Sequence, residues 1–195
     1  ASGTLSFAVG ETSKPVTIPI SDDTLDEDDE SFSITLSNPV NATITDGSAT
    51  ATISDNDTPP IVTITGPESP VAENAGTAPF TIALSGPTFQ PVTVRYSTAN
   101  GTATAGTNND YIAVTNVTVT FAPGETSKTI TVTINNDSTD EVDETFSVSL
   151  NTPTNATLGT PSTATATIDD NDGPKIRITD ETVLESAGTM TFTVT

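Results

Sequence analysis

The pentapeptide GETSK stands at residues 10–14 and again at 124–128, an offset of 124 − 10 = 114 residues. This internal repeat constrains the fold more than any other feature, because the residues that follow each copy match as well. DTLDEDDESFSITLSNPVNATI, from Asp23, aligns without a gap with DSTDEVDETFSVSLNTPTNATL, from Asp137. ATATISDNDTPP, from Ala49, aligns with ATATIDDNDGPK, from Ala164, and VAENAGTAPFTI, from Val71, returns as VLESAGTMTFTV, from Val183. Self-similarity at a fixed period marks a tandem array in which each repeat is one structural unit. The chain therefore divides into the C-terminal half of one unit (1–57), a complete unit (61–172) and the N-terminal start of a further unit (175–195). Neither partial unit holds enough strands to close a core alone. The expectation is a section of a longer polypeptide, or ends completed by other chains.

Within the complete unit, apolar and polar residues alternate in runs separated by turn residues, the pattern of half-buried strands. Seven strands are expected: a broken first strand, Val62–Thr65 and Val71–Glu73, then Pro79–Ser85, Val92–Ser97, Val117–Phe121, Thr129–Asn135, Thr145–Leu150 and Thr163–Ile168. The inward set is Phe80, Ile82, Leu84, Val92, Val94, Tyr96, Val117, Val119, Phe121, Ile130, Val132, Ile134, Phe146, Val148 and Leu150. No segment has helical periodicity. The fold class is all-β: tandem immunoglobulin-like antiparallel β-sandwiches with seven strands per unit. In the first partial unit the acidic run SDDTLDEDDESF lies between PVTIPI and FSITLS, both of which alternate as strands do, so the run reads as a loop on a rigid scaffold rather than a tail.

Charge then narrows the function. Five Lys and Arg stand against twenty-six Asp and Glu, a formal net charge of −21. Such a field repels nucleic acid and anionic membrane and attracts cations. With no Cys and no His, disulfides, ordinary zinc or haem sites and Ser-His-Asp or Cys-His nucleophiles are excluded. No apolar run reaches a transmembrane length. If successive strands run up and down, the loops after strands one, three and five and the end of strand seven share one pole. Those places hold Glu73, Asp110, Asp137, Asp140, Glu141, Asp143, Glu144, Asp169, Asp170 and Asp172, ten of the unit's twelve acids. Two carboxylates about 6 Å apart repel by roughly 0.7 kcal/mol in water and by more at lower effective dielectric. A bound hard cation reverses the sign, and calcium, which takes six to eight oxygens in flexible geometry, fits better than magnesium. Solvated surface acids are the plainer reading, preferred for Asp140 and Asp143; Asp110 equally suits a turn.

GTATAGTNNDYIAVTNVTVTFAPGETSKTITVTINND, followed by DEVDETFSVSL and ATATIDDND, resembles the Calx-beta domain. The resemblance covers residues 61–172 and both partial units. It implies an immunoglobulin-like sandwich that binds Ca2+ at the acidic pole, in a family found in sodium–calcium exchangers, integrin β subunits and large bacterial surface and adhesion proteins. By motif it implies metal ligands at Glu73, Asp110, Asp137, Glu141, Glu144, Asp170 and Asp172 in the complete unit. The earlier unit would supply Asp23, Glu27, Glu30, Asp55 and Asp57, with Asp22 and Asp28 as extras, and Glu185 would open the next site. Asn171 and Val142 stand where exchanger domains carry acids, and two extra residues lengthen the loop before Asp110, so a full exchanger-type ion cluster is not carried over.

These readings converge on a calcium-binding structural repeat that forms a calcium-stiffened rod or filament in a secreted, cell-surface or adhesion protein, expected to be bacterial. Its partners would be neighbouring repeats, other copies in a filament or a cell-surface ligand, with no nucleic acid and no membrane insertion. A regulatory calcium sensor is the alternative, and a carbohydrate-binding module a lesser one. An enzyme is not expected: the acids crowd one cap, and no Trp offers a sugar platform. Phe89, in the opposite-pole loop PTFQP, would pack either on the preceding unit or on its own core.

Overall fold

The computed structural model describes residues 2–106 and 109–194. The complete unit is a two-sheet β-sandwich. In the first partial unit β1 spans Glu30–Thr35 and β2 Ser48–Ile53. The complete unit then contributes β3 (Ile61–Thr65), β4 (Val71–Ala72), β5 (Thr77–Leu84), β6 (Val92–Asn100), β7 (Val117–Phe121), β8 (Ser127–Thr133), β9 (Glu144–Thr154), β10 (Thr157–Leu158) and β11 (Thr163–Asp169). One sheet has the order β10-β3-β5-β8 and the other β4-β11-β9-β6-β7. All seven expected strands are present. At their C-terminal ends β6 and β9 run three and four residues further than the alternation indicated, to Asn100 and Thr154, and β10 is an addition that pairs parallel with β3.

The broken first strand changes sheets. β3 runs antiparallel to β5, whereas β4 runs parallel to β11. The crossing brings the chain close to β11, and Gly66 makes this possible, since a Cβ there would lie 2.6 Å from the Thr165 carbonyl oxygen. The expected Glu73 end of that strand is instead the start of a single 3-10 turn, Glu73–Ala75, closed by Gly76 at φ 77°.

Inward residues of both sheets form one core, with Val62, Ile64, Phe80, Ile82, Val92, Val94, Phe146 and Val148 all essentially inaccessible. Val117, expected inward, is exposed: it begins the edge strand β7, beyond the cover of the opposite sheet. Tyr111, absent from the expected set, is fully buried. Its ring stacks on Phe146 at 4.5 Å between centroids, and its hydroxyl donates to Asn100 Oδ1 at 2.6 Å. Tyr111 thus closes the core directly beneath the acidic pole.

The GETSK motif is a turn at the other pole. Glu125 Oε2 accepts the Ala122 N–H at 2.8 Å, Oε1 pairs with Lys128 at 2.7 Å, and Gly124 takes φ 79°. Glu11, Lys14, Ala8 and Gly10 repeat the arrangement in the partial unit. Recurrence of the pentapeptide therefore has a local structural cause.

PVTIPI departs from expectation. Residues 15–20 form no strand, and Val16, Ile18 and Ile20 are exposed. The equivalent strand β8 has β5 as its ladder partner, and residues 2–57 contain no counterpart of β5. Period-two alternation marks a segment fit for a sheet but cannot supply its neighbour. Likewise residues 175–194 form the single bridge Ile178–Val194 and the 3-10 turn Glu185–Ala187.

Phe146→Ala is expected to destabilise the chain by about 3–5 kcal/mol through lost burial and a residual cavity. The repeat-equivalent Phe32→Ala, on the half-buried face of the β1–β2 ribbon, should cost less than about 1 kcal/mol. Denaturant midpoints of the two variants check the contrast.

Candidate metal centre

Strand register builds the acidic pole. Val71 pairs with Ile168 and Ala72 with Asp169, so the next residues along these parallel strands, Glu73 and Asp170, leave the sheet side by side. Asp172 joins them, and one carboxylate oxygen from each of the three lies within 4.8 Å of the others. Asp110, Glu141 and Glu144 form a second group by the same measure. A single pocket lined by Glu73, Asp110, Glu141, Glu144 and Asp170, with Ile168 as its floor, joins the two groups.

Each loop is fixed by its backbone. A Cβ on Gly101 would lie 2.4 Å from the Thr145 carbonyl oxygen, so only glycine lets the loop after β6 pass this close to β9. That carbonyl accepts the Ala103 N–H at 2.9 Å. The Asp110 carboxylate accepts the Thr104 N–H at 2.6 Å and the Thr104 hydroxyl at 3.1 Å, so it serves a turn and the cap together. Asn135, unremarked in the sequence, ties the loop down by donating to the Gly106 and Asn109 carbonyls. Two residues of this loop, Thr107 and Asn108, lie outside the described residues, so the lengthening expected before Asp110 is not described.

Asp137 belongs to neither group of three. Its Oδ1 accepts the Thr139 N–H at 2.6 Å, and its own N–H donates to Glu73 Oε1 at 2.9 Å. These hydrogen bonds to Thr139, with help from Ser138 and Lys175, hold its carboxyl below the usual range. Asp23 makes the same turn with the Leu25 N–H at 2.9 Å. Asp143, read as simply solvated, accepts the Asp170 N–H at 3.4 Å, and its counterpart Asp29 accepts the Asp55 N–H at 3.0 Å. Both copies thus use this aspartate to clamp the terminal Asp-Asn-Asp segment. The repeat alignment carried that signal, but a run of acids concealed it.

In the earlier unit Asp23, Glu27, Glu30, Asp55 and Asp57 line one pocket, together with Asp22 and Asp28. Desolvation, then Asp23 and Glu30, pushes the Glu27 carboxyl up; Asp57 is pushed up by desolvation and then by Asp55. Glu185 opens a 3-10 turn like that of Glu73, but it is exposed and belongs to no group of three close acids among the described residues.

The residues fit a hard cation on two structural grounds. Glu73 is only 7% exposed. Its Oε2 and the Oδ2 of Asp172 are buried without a hydrogen-bond partner among the described residues, which is costly unless something neutralises them. Oxygen is also the only donor type present, and it suits calcium or magnesium rather than softer metals.

Fold and site together define an acid-capped, immunoglobulin-like β-sandwich repeat. The family model for the Calx-beta domain matches residues 1–57 and 55–172, and the chain belongs to that family. Among solved structures it is similar to the apo-form Calx CBD1 domain at 28% identity and TM-score 0.51, covering 57% of this chain and 98% of that one. It is also similar to CBD12 from CALX1.2 at 27% identity and TM-score 0.52, covering 62% and 48%. Curated relatives include Extracellular matrix protein 3 of Lytechinus variegatus at 36% identity. FRAS1-related extracellular matrix protein 2 of Homo sapiens is 34% identical, and Adhesion G-protein coupled receptor V1 of Danio rerio 31%. Each match covers 88% of this chain, which spans only 6%, 6% and 3% of those proteins respectively. These relatives come from animals and lend no support to the bacterial origin expected from the sequence.

Glu144 reports the repulsion within the cap. Burial first, then its hydrogen bond with Asp110 and the charges of Asp110 and Glu141, pushes its carboxyl up to about 7 from 4.5. Between those values the folded chain holds a proton that the unfolded chain has released, so metal-free stability is present at the low end and is lost as pH rises to about 7. Metal-free Glu144→Gln should lose most of that dependence and melt higher than the parent at pH 7. Thermal melts in chelator across this pH range provide the check.

Proposed function

We propose that this chain is a calcium-binding structural repeat of an extracellular surface or matrix protein, in which ions at the acidic caps stiffen the junctions between successive units. The observation that carries the reading is the pair of buried, unpartnered carboxylate oxygens on Glu73 and Asp172. One lies on the 3-10 turn that follows β4 and the other on the segment that leaves β11. In the complete unit the proposed ligands are Glu73, Asp110, Glu141, Glu144, Asp170 and Asp172, with Asp137 beside them. In the earlier unit they are Asp23, Glu27, Glu30, Asp55 and Asp57, and Glu185 would serve the next. A solved neighbour described as the calcium binding domain CBD12 of CALX1.1, 28% identical with TM-score 0.52, supports calcium as the ion. The extracellular-matrix and adhesion relatives support the location, and a binding module rather than an enzyme is what the family match favours.

The junction supports a stiffening role. Asp57 lines the earlier cap, while Pro60 is already buried in the base of the next unit, where its carbonyl accepts the Thr157 N–H at 2.9 Å. Only Thr58 and Pro59 lie between them, and proline restricts that backbone further. Loop 85–91 of the complete unit reaches back to the acidic run. The Phe89 N–H donates to the Asp26 carbonyl at 3.3 Å, and Gln90 Nε2 donates to Asp28 Oδ2 at 2.5 Å. Phe89 is 59% exposed, and its hydrogen bond to the earlier run comes from its main chain. An ion that orders the acidic run would thereby order the surface against which the next unit rests.

Calcium titration by calorimetry tests the reading. The chain should bind calcium in the micromolar to millimolar range, and Asp170→Asn should weaken the complete unit's cap by about tenfold or more. Chelator should lower the melting temperature and broaden the distribution of lengths in small-angle scattering. A chain that shows no calcium heat, and whose melting and scattering ignore chelator, would sink the proposal.

A further inference from the structure

The two successive caps are not equivalent, and one of their differences is a lysine. Three ion pairs occur among the described residues. Two are the Glu11–Lys14 and Glu125–Lys128 pairs of the opposite-pole turns. The third belongs to a cap: Lys175 Nζ lies 4.0 Å from Asp172 Oδ1 and donates to the Ser138 carbonyl. Ser138 immediately follows Asp137, so the ammonium bridges the loop after β8 and the segment that leaves β11.

The repeat provides an internal comparison. Aligning DNDTPP with DNDGPK places Pro60 opposite Lys175, and Pro60 is buried in the following unit rather than turned back on its cap. The gapless alignment of the acidic loops also places Asp22 opposite Asn136 and Asp28 opposite Val142. The earlier cap therefore has two more carboxylates in its loop and no cation at this position.

We propose that Lys175 is a tethered counter-ion of the complete unit's cap, competing with a divalent cation for Asp172. The inference rests on the calcium reading for its ligand, but the lysine's place in the cap is independent of it. Lysine suits the role because its ammonium is a compact charge on a flexible four-carbon stem that can swing aside. Lys175 is 65% exposed on its side chain, so solvent and salt screen the effect and keep it modest. In the metal-free chain the ammonium offsets part of the carboxylate repulsion. A bound divalent ion takes over that role, and the lysine then opposes binding by like-charge repulsion.

The test compares the chain carrying Asp55→Asn and Asp57→Asn, which silences the earlier cap, with and without Lys175→Ala. Calorimetry should show calcium bound about three- to tenfold more tightly without the lysine at low ionic strength, a gain that shrinks at high salt, while Lys175→Arg keeps the parental affinity. Equal or weaker binding by Lys175→Ala overturns the proposal. Metal-free melting gives a second readout: Lys175→Ala should lower the melting temperature at low salt and not at high salt. If neither chain shows calcium heat, the calcium reading fails by itself. The counter-ion role is then decided by this melt, and an unchanged melting temperature rejects it.

Discussion

Carboxylates held together against their own repulsion are the constraint on which the rest of this structure depends. Nothing in the acidic loops themselves favours their meeting. The sandwich imposes it: parallel pairing of β4 with β11 sets Glu73 beside Asp170, and the close pass at Gly101, with Tyr111 stacked on Phe146, holds Asp110 over the same pocket. Apolar burial beneath the pole and charge repulsion at its surface oppose each other. The buried, unpartnered oxygens of Glu73 and Asp172 and the raised Glu144 carboxyl are where that opposition is visible. A cation is the simplest agent that would relieve all three.

Much of this was legible in the sequence because two of its signals are local and periodic. Alternation gave the seven strands of the complete unit, and the repeat gave its length; parity then brought Glu73, Asp110, Glu141, Glu144, Asp170 and Asp172 to one end. What the sequence did not reveal depends on partners that periodicity cannot name. PVTIPI alternates as well as β8 does, but a ladder needs a neighbour and residues 2–57 offer none. Val117 alternates correctly yet lies on an edge. Tyr111 follows an aspartate in a polar loop, and only the tertiary approach of Phe146 makes it core. Asp143 and Asp29 were hidden among acids of the same kind, because charge counting cannot separate a carboxylate that accepts a backbone N–H from one that meets water.

The two poles of a unit perform different tasks with similar materials. At the GETSK pole a carboxylate is satisfied within its own turn, by a backbone N–H and a lysine three residues away. That arrangement is self-contained, and it survives in the partial unit although most of that unit's sheet is absent. At the acidic pole the carboxylates draw on several loops at once, and the local donors do not suffice. The first kind of site makes these contacts in both copies of the turn. The second is completed only by something from outside the loop: a cation, the following linker or the next unit.

The position of the acidic pole then gives it a consequence beyond one domain. Loop 85–91 meets the earlier acidic run through Asp26 and Asp28, and in the complete unit the chain that leaves β11 folds back through Lys175. In the first place a loop of the next unit meets the cap, and in the second the chain leaving the unit does. On the proposed calcium reading, a change in what neutralises the cap, whether proton, lysine or calcium, would act on a junction and not only on local stability. The earlier junction has Pro60 where the later one has Lys175, and Asp22 and Asp28 where it has Asn136 and Val142, so the two caps differ in charge beside otherwise matching linkers.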